Sequence, residues 1–297
     1  MNRGILYAIS AYLLWGVFPI YWKLIHAIPA LEIIAHRIVW AFILVFLVVW
    51  IRREWPQLRL SVNNRKVLLT YLATGLLLFI NWLVYVWAVN AGYIVDTSLG
   101  YFINPLVNVV LGVIFLRERL RLWQWISVGI AALGVLYLTV SYGALPWIGL
   151  TLAFSFGFYG LLKKTAQLNS LHGFTLETGF LFIPAIIYLL ALEINGQGSF
   201  PHGSTLETFL LILTGVATGV PLILFGAAAQ LVPLSTLGFI QYIAPTLQFL
   251  IGVYIYGEEF TLERMIGFGL IWIALMIYSM DSVRSYRRVH LPQITNT

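Results

Sequence analysis

The chain has 297 residues, 61% of them hydrophobic and only 9% charged, where soluble domains carry about 25% charged residues. That much apolar surface cannot be covered in water, so lipid must be the solvent for most side chains, and the chain is expected to be an integral membrane protein. The net charge of +6 comes from short basic clusters between apolar runs, not from a continuous basic face, so no nucleic-acid partner is expected. Cysteine is absent, which removes disulfides, thiolate nucleophiles and Cys-based metal sites, and no cofactor is expected.

A helix needs about 20 apolar residues to cross the hydrocarbon core. On that rule the chain is expected to be an all-α polytopic membrane protein with ten transmembrane helices, at residues 4–22, 32–51, 67–90, 94–116, 122–140, 146–163, 172–194, 207–230, 234–256 and 264–281. The first run has a basic start like a secretory signal, but it closes on Tyr21-Trp22-Lys23 without a small-residue cleavage site and reads as a retained helix. The polar stretch RREWPQLRLSVNNRK (52–66) reads as a loop, and the tail after Asp281 as flexible. With a cytoplasmic N-terminus, 14 of the 17 basic residues fall on that side, Lys23 and Arg264 fall opposite, and Arg37 lies within a helix. The positive-inside rule therefore puts both termini on the cytoplasmic side.

The fourth run, GYFINPLVNVVLGVIFLRERL (100–120), has a partial echo in the ninth, QYIAPTLQFLIGVYIYGEEF (241–260). Aligning Pro105 with Pro245 also pairs Gly112 with Gly252, Val113 with Val253, Glu118 with Glu258, Leu122 with Leu262, Ile126 with Ile266 and Gly129 with Gly269. One offset that matches both Pro and Glu indicates duplication. A unit of five helices is odd-numbered, so the second copy must enter the membrane inverted. The basic RERLR end then faces the cytoplasm and the acidic GEEF end faces out. The expected organisation is a first repeat over 1–140, an inverted second repeat over 141–281 and a tail over 282–297. Inverted repeats are typical of secondary transporters, with the substrate near the midplane between halves.

The stretches WGVFPIYWK (15–23), EIIAHRIVW (32–40), LGYFINPLVNVVLGVIFLRERL (99–120), LETGFLFIPAIIYLL (176–190) and YIAPTLQFLIGVYIYGE (242–258), in that order, resemble the RarD-type permeases. These belong to the EamA-like families of the drug/metabolite transporter superfamily, and the resemblance covers about residues 1–288. It implies ten helices in two inverted five-helix halves and export or exchange of small metabolites or drugs in the bacterial inner membrane. It also implies a cavity lined mainly by the first, third, fourth, sixth, eighth and ninth helices.

Within those helices, Trp15, Asn81, Trp82, Tyr85, Tyr101, Tyr159 and Tyr242 are candidates for the cavity wall, although Trp and Tyr also populate interfacial belts. Asn104 and Asn108 share one helical face, with Pro105 between them. They either line a cavity or join helices by hydrogen bonds. Gln241 and Gln248 recur around Pro245 at nearly equivalent heights, and Pro105 and Pro245 are candidate hinges. Aromatics with a few amides suit amphipathic or aromatic solutes, uncharged overall, better than phosphates. Buried ionisable groups are costly in a membrane and mark function by default. His36 and Arg37 lie about five residues into the second helix and are candidates for coupling or gating, with a structural role the alternative for Arg37; Glu32 or a helix-end carbonyl is the expected partner of Arg37. Glu177, about five residues into the seventh helix, is the candidate for proton coupling. Lys163 and Lys164 read as positive-inside anchors.

No HExxH, G-x-S-x-G or GxxxxGK[ST] is present, so an enzyme or an ATP-driven pump is not expected. The reading is a secondary active transporter for a small metabolite or drug-like solute, amino-acid-like or aromatic ones among the candidates, working by alternating access and exporting. A channel or a membrane-embedded sensor is the alternative. Both a monomer and a homodimer fit the small residues Gly129, Gly134, Gly267 and Gly269 on the fifth and tenth helices.

Overall fold

The computed structural model describes residues 3–90, 94–142, 147–257 and 262–290. All regular structure among the described residues is helical. In chain order the helices are α1 (Arg3–Gly16), α2 (Phe18–Leu24), α3 (Ala30–Ile51), α4 (Trp55–Val62), α5 (Arg65–Asn90), α6 (Ile94–Leu116) and α7 (Leu122–Tyr142), followed by α8 (Trp147–Thr165), α9 (Ser170–Ile194), α10 (Thr205–Leu231), α11 (Leu234–Gln241), α12 (Ile243–Tyr254) and α13 (Leu262–His290). Among the described residues, eight stretches are long and apolar enough to cross a membrane by length and composition: α1–α2 together, α3, α5, α7, α9, α10, α11–α12 together, and α13; Gly100–Leu116 of α6 is a shorter apolar helix. Large apolar side chains such as Ile114, Leu133, Ile187 and Phe209 point outward, as a lipid-facing surface requires.

The structure departs from the expected spans where proline interrupts the backbone ladder. The first run breaks at Val17, because Pro19 has no N–H to offer the carbonyl of Trp15 four residues earlier. Gln248 of α12 takes over that carbonyl, its Nε2 donating to the Trp15 oxygen over 3.0 Å. The ninth run breaks between Gln241 and Ile243, just ahead of Pro245. By contrast α6 runs unbroken through Pro105, and α9 and α10 run through Pro184 and Pro221. The stretch expected as a loop at 52–66 contains the short helix α4, and α13 continues past Asp281 to His290; residues 291–297 lie outside the described residues.

Helix ends are fixed by side chains that satisfy otherwise unpaired backbone groups. Asn169 caps α9, accepting from the N–H of His172, and Ser204 with Glu207 forms a reciprocal capping box at the start of α10. Helix α6 stops at Leu116 with Arg117 at φ 54°, and the Glu118 N–H reaches back six residues to the Gly112 carbonyl over 3.1 Å, folding the chain back over the helix end. This turn aims the Glu118 carboxylate at the start of α11, where it accepts from the N–H groups of Leu234 (2.6 Å) and Ser235 (3.0 Å) and from the Ser235 hydroxyl (2.6 Å). One hundred and forty residues later Gly257 adopts φ 67° at the end of the ninth run; Glu258, the counterpart of Glu118, lies outside the described residues.

Packing centres on α6 against α8, α3 against α9 and α10, and α1 against α10. The main apolar core runs through these helices, and a second core joins α6 and α11 to the α7–α13 pair, where Phe239 stacks on Tyr278 at 3.8 Å. Glycines set the closest crossings. A Cβ at Gly134 would stand 3.1 Å from the Gly267 carbonyl oxygen, so this pair joins α7 to α13 within one chain, whereas nothing lies within 4 Å of a Cβ at Gly129 or Gly269. At Gly215 a Cβ would stand 2.5 Å from the Trp40 carbonyl carbon, so α10 needs glycine there to approach α3. Gly215→Ala is expected to destabilise the bundle by about 1–3 kcal/mol through overpacking. Gly269→Ala should be neutral or slightly stabilising; thermal unfolding of the two variants in detergent checks the contrast.

Candidate functional site

Among the described residues, three groups of buried polar side chains lie inside the bundle at or beside the candidate positions. The first is an ion pair that the sequence reading missed. Lys163, in the last turn of α8, places its Nζ 3.0 Å from Glu177 Oε1 of α9, and the two side chains are 1% and 0% exposed. The hydroxyl of Tyr159, one turn before Lys163, donates to Glu177 Oε2 over 3.3 Å. The ammonium also lies 5.4 Å from the centre of the Tyr71 ring of α5. Two glycines make the slot: a Cβ at Gly173 would come 3.0 Å from Lys163 Nζ, and one at Gly226 would come 2.9 Å from its Cε. Lys163 is therefore not an interfacial anchor. Consecutive helical residues point about 100° apart, so only one of the two lysines can face outward from the bundle. Lys164 instead donates to the carbonyls of Ala229 (3.2 Å) and Val232 (2.6 Å) at the end of α10, where a cation suits the unpaired carbonyls.

The second group is a set of amides. Asn104 and Asn108 of α6 are buried, as expected from their shared face. Asn104 Nδ2 donates to the Ala153 carbonyl of α8. Asn108 Nδ2 donates to Gln241 Oε1 of α11 over 3.0 Å and to Asn104 Oδ1 over 3.3 Å. Asn81 of α5 grips α8 from the other side, donating to the Leu152 carbonyl and the Ser155 hydroxyl, each at 3.0 Å. These bonds join helices. Asn108 Oδ1 nevertheless has no hydrogen-bond partner among the described residues. Trp15 lies beside the amides in an aromatic cluster with Tyr12, Phe156 and Phe225, and Tyr159 stacks on Phe225 at 5.8 Å.

The third group surrounds Arg37 of α3, which is 9% exposed. Its guanidinium carbon sits 4.7 Å from the centre of the Trp82 ring and 4.8 Å from that of Trp22, and its Nε donates to Thr218 Oγ1 over 3.0 Å. Tyr85 and Tyr101 pack edge to face at 5.9 Å and lie within Coulomb range of the same charge. Glu32 is not its partner. That carboxylate is held by Ser199, through the backbone N–H (2.6 Å) and the hydroxyl (2.9 Å). His36, 3.9 Å from Glu32, has neither ring nitrogen hydrogen-bonded among the described residues.

One helix measures the distance between the charged groups. Tyr71 beside Lys163 and Trp82 beside Arg37 both belong to α5, eleven residues apart, which is about 17 Å along a helix. Glu177 and Arg37 do not pair with each other. The structure also leaves some candidates away from these groups. Tyr242 packs in the second core, its hydroxyl donating to the Phe102 carbonyl over 3.2 Å. Gln248 serves the broken first run. Pro105 presses its carbonyl against Gly238 of α11, and Pro245 sits in the first turn of α12.

Residues 2–140 match the EamA-like transporter family, and residues 145–280 match it a second time. The chain belongs to this family. "Protein RarD" of Streptomyces exfoliatus is 46% identical over 288 residues, covering 97% of this chain and 91% of that protein. "Protein RarD" of Escherichia coli (strain K12) is 43% identical over 287 residues, covering 97% of each. A protein solved by crystallography, 18% identical, superposes with a TM-score of 0.72 over 94% of this chain and 98% of the other, and shows a shared fold. The chain is thus a multi-pass membrane protein of a transporter family and not an enzyme.

Breaking a buried ion pair from one side leaves an uncompensated charge and costs about 3–5 kcal/mol. Lys163→Met and Glu177→Gln should each lower the unfolding temperature in detergent substantially. The double variant Lys163→Met/Glu177→Leu should recover most of the loss. Equal, additive losses in the double variant would show that the two residues do not act as a pair.

Proposed function

We propose that the chain is a secondary active carrier of ten transmembrane helices in two inverted five-helix halves, which rock about a midplane site to expose a small solute to each side in turn. The observation that carries this is the ladder of buried polar groups. Asn104 and Asn108 of the first half bond Ala153 and Gln241 of the second, Arg37 of the first bonds Thr218 of the second, and the Lys163–Glu177 pair within the second half faces Tyr71 of the first. The helix partnerships support the same reading. Helix α1 meets α10 and α12, while α8 meets α5 and α6; α3 meets α10, while α9 meets α5; α6 meets α11, and α7 meets α13. Exchanging the halves turns each of these pairings into another of the set. The two matches to one family, and positive φ at both Arg117 and Gly257, add to it.

On this reading both termini are cytoplasmic, the membrane is the bacterial inner membrane, and transport runs outward. Lys163–Glu177 then lies toward the cytoplasm and Arg37 toward the outside. Glu177 couples transport to protons: protonating it breaks its charge pairing with Lys163, which loosens α8 from α9. Pro105 and Pro245 are the bending points.

The test begins with a thermal-shift screen of purified protein against amino acids, aromatic metabolites and antibiotics, because a ligand of the native state raises its apparent stability. Hits then go into counterflow in proteoliposomes. A carrier accelerates labelled uptake when the vesicles are preloaded with the unlabelled solute, and a channel does not. Glu177→Gln should abolish the dependence of uptake on external pH while retaining counterflow. A wild-type pH profile in that variant would make Glu177 structural.

A further inference from the structure

Accounting for the buried charges singles out one of them. Lys163 and Glu177 neutralise each other at 3.0 Å. Glu32 is held by two donors of Ser199, and His172 meets Glu54 at 2.8 Å. Arg37 alone among the described buried ionic groups has a permanent charge and no carboxylate within 4 Å. Glu32 shares its helix, but five residues of separation turn the two side chains about 140° apart.

Arginine does not lose its charge on burial, and an unpaired ion inside a membrane protein is costly. Two indole rings and one hydroxyl offset part of that cost. With Nε donating to Thr218, the donor edge left over is the Nη pair, whose parallel N–H groups match the two oxygens of a carboxylate. A phosphate would call for further cations, and no second one faces this box among the described residues; Trp82, Tyr85 and Tyr101 offer flat apolar walls.

We infer that Arg37 is the anion-recognition residue of the carrier, and that its solutes include organic monocarboxylates with a flat or aromatic body. The guanidinium receives the carboxylate and the rings receive the body. This rests on the carrier reading and sharpens it, replacing a solute without net charge by one that brings its own negative group.

Three near-isosteric probes test the inference on the full chain in detergent: phenylacetate, its neutral amide phenylacetamide, and the cation phenylethylamine. Affinities are measured by equilibrium binding. Wild type should bind phenylacetate at least tenfold more tightly than phenylacetamide and show no saturable phenylethylamine binding. Arg37→Gln should erase the preference for phenylacetate over its amide. Arg37→Lys should retain part of it, since an ammonium keeps the charge and loses the fork. Monodisperse elution and unchanged helix content establish that the variants fold, and if the Gln variant fails that criterion the Lys variant carries the test. Equal affinity for acid and amide in wild type, no saturable phenylacetate binding, or a preference undiminished by substitution of Arg37 would overturn the inference. Counterflow separates it from the carrier reading: accelerated exchange of a neutral solute, unaffected by Arg37→Gln, would preserve the carrier and refute the carboxylate site.

Discussion

Hydrocarbon offers no hydrogen bonds, so each carbonyl or amide that leaves the helical ladder must be met by another group of the protein. The bundle is arranged around that constraint. Pro19 frees the Trp15 carbonyl, and Gln248 reaches across from α12 to bond it. Glu118 supplies acceptors to the open first turn of α11. Lys164 supplies donors to the last carbonyls of α10. In each case the residue that satisfies one helix end belongs to a distant part of the chain, so the satisfied bond also fixes how two elements sit. Asn81 and Asn104 act in the same way on the side of α8, each donating to a backbone carbonyl there. Polar residues that would look like defects in a lipid-facing helix are what position the bundle's interior.

Buried charge imposes a stricter version of the same constraint. Replacing a buried ion pair by apolar residues of similar volume is often neutral or stabilising, so Lys163–Glu177 is not explained by stability. The slot around it is costly as well, since Gly173 and Gly226 place helix-destabilising residues inside α9 and α10. The two glycines make room for Tyr71 and Ser170 as well as for the lysine, so the charge and its immediate neighbours are packed as one unit. The Arg37 box resembles it in depth of burial and differs in balance. One site is neutral overall and tied together by direct bonds, and the other leaves a cation against aromatic faces. Such an asymmetry suits a carrier in which one site changes its bonding during the cycle and the other holds cargo.

Much of this was legible in the amino-acid sequence. Apolar run lengths located α3, α5, α6, α7, α9 and α10 to within a few residues, because a membrane helix is defined by composition. The echo of 100–120 at 241–260 was legible for the same reason, and the structure gives a mechanical meaning to its Glu118: a helix cap, held in place by the left-handed turn at Arg117. What escaped notice were properties of neighbouring helices. Nothing near Lys163 in the chain announces Glu177, and nothing at the Tyr21-Trp22-Lys23 end of the first run announces that α2 brings Trp22 to Arg37. The break at Val17 had a local sign in Pro19. The unbroken course of α6 through Pro105 had none, since a proline fixes only what one residue cannot donate and the neighbours decide whether the helix continues.

That last contrast bears on how the two halves move. Pro105 and Pro245 occupy the same place in the repeat, yet one lies in a continuous helix and the other just past a break. The difference therefore comes from their surroundings, and the nearest feature is the contact between the two proline-bearing runs. The Pro105 carbonyl stands 2.6 Å from where a Cβ of Gly238 would be, and Asn108 bonds Gln241, the last residue before the break. The break in one run is thus in contact with the proline of the other. On the alternating-access reading this contact is the pivot: straightening α11–α12 would pull Gln241 from Asn108 and free the backbone of α6 to bend at Pro105 in turn. On that reading, two counterpart prolines in unequal conformations are what an inverted pair would show on one side of its cycle.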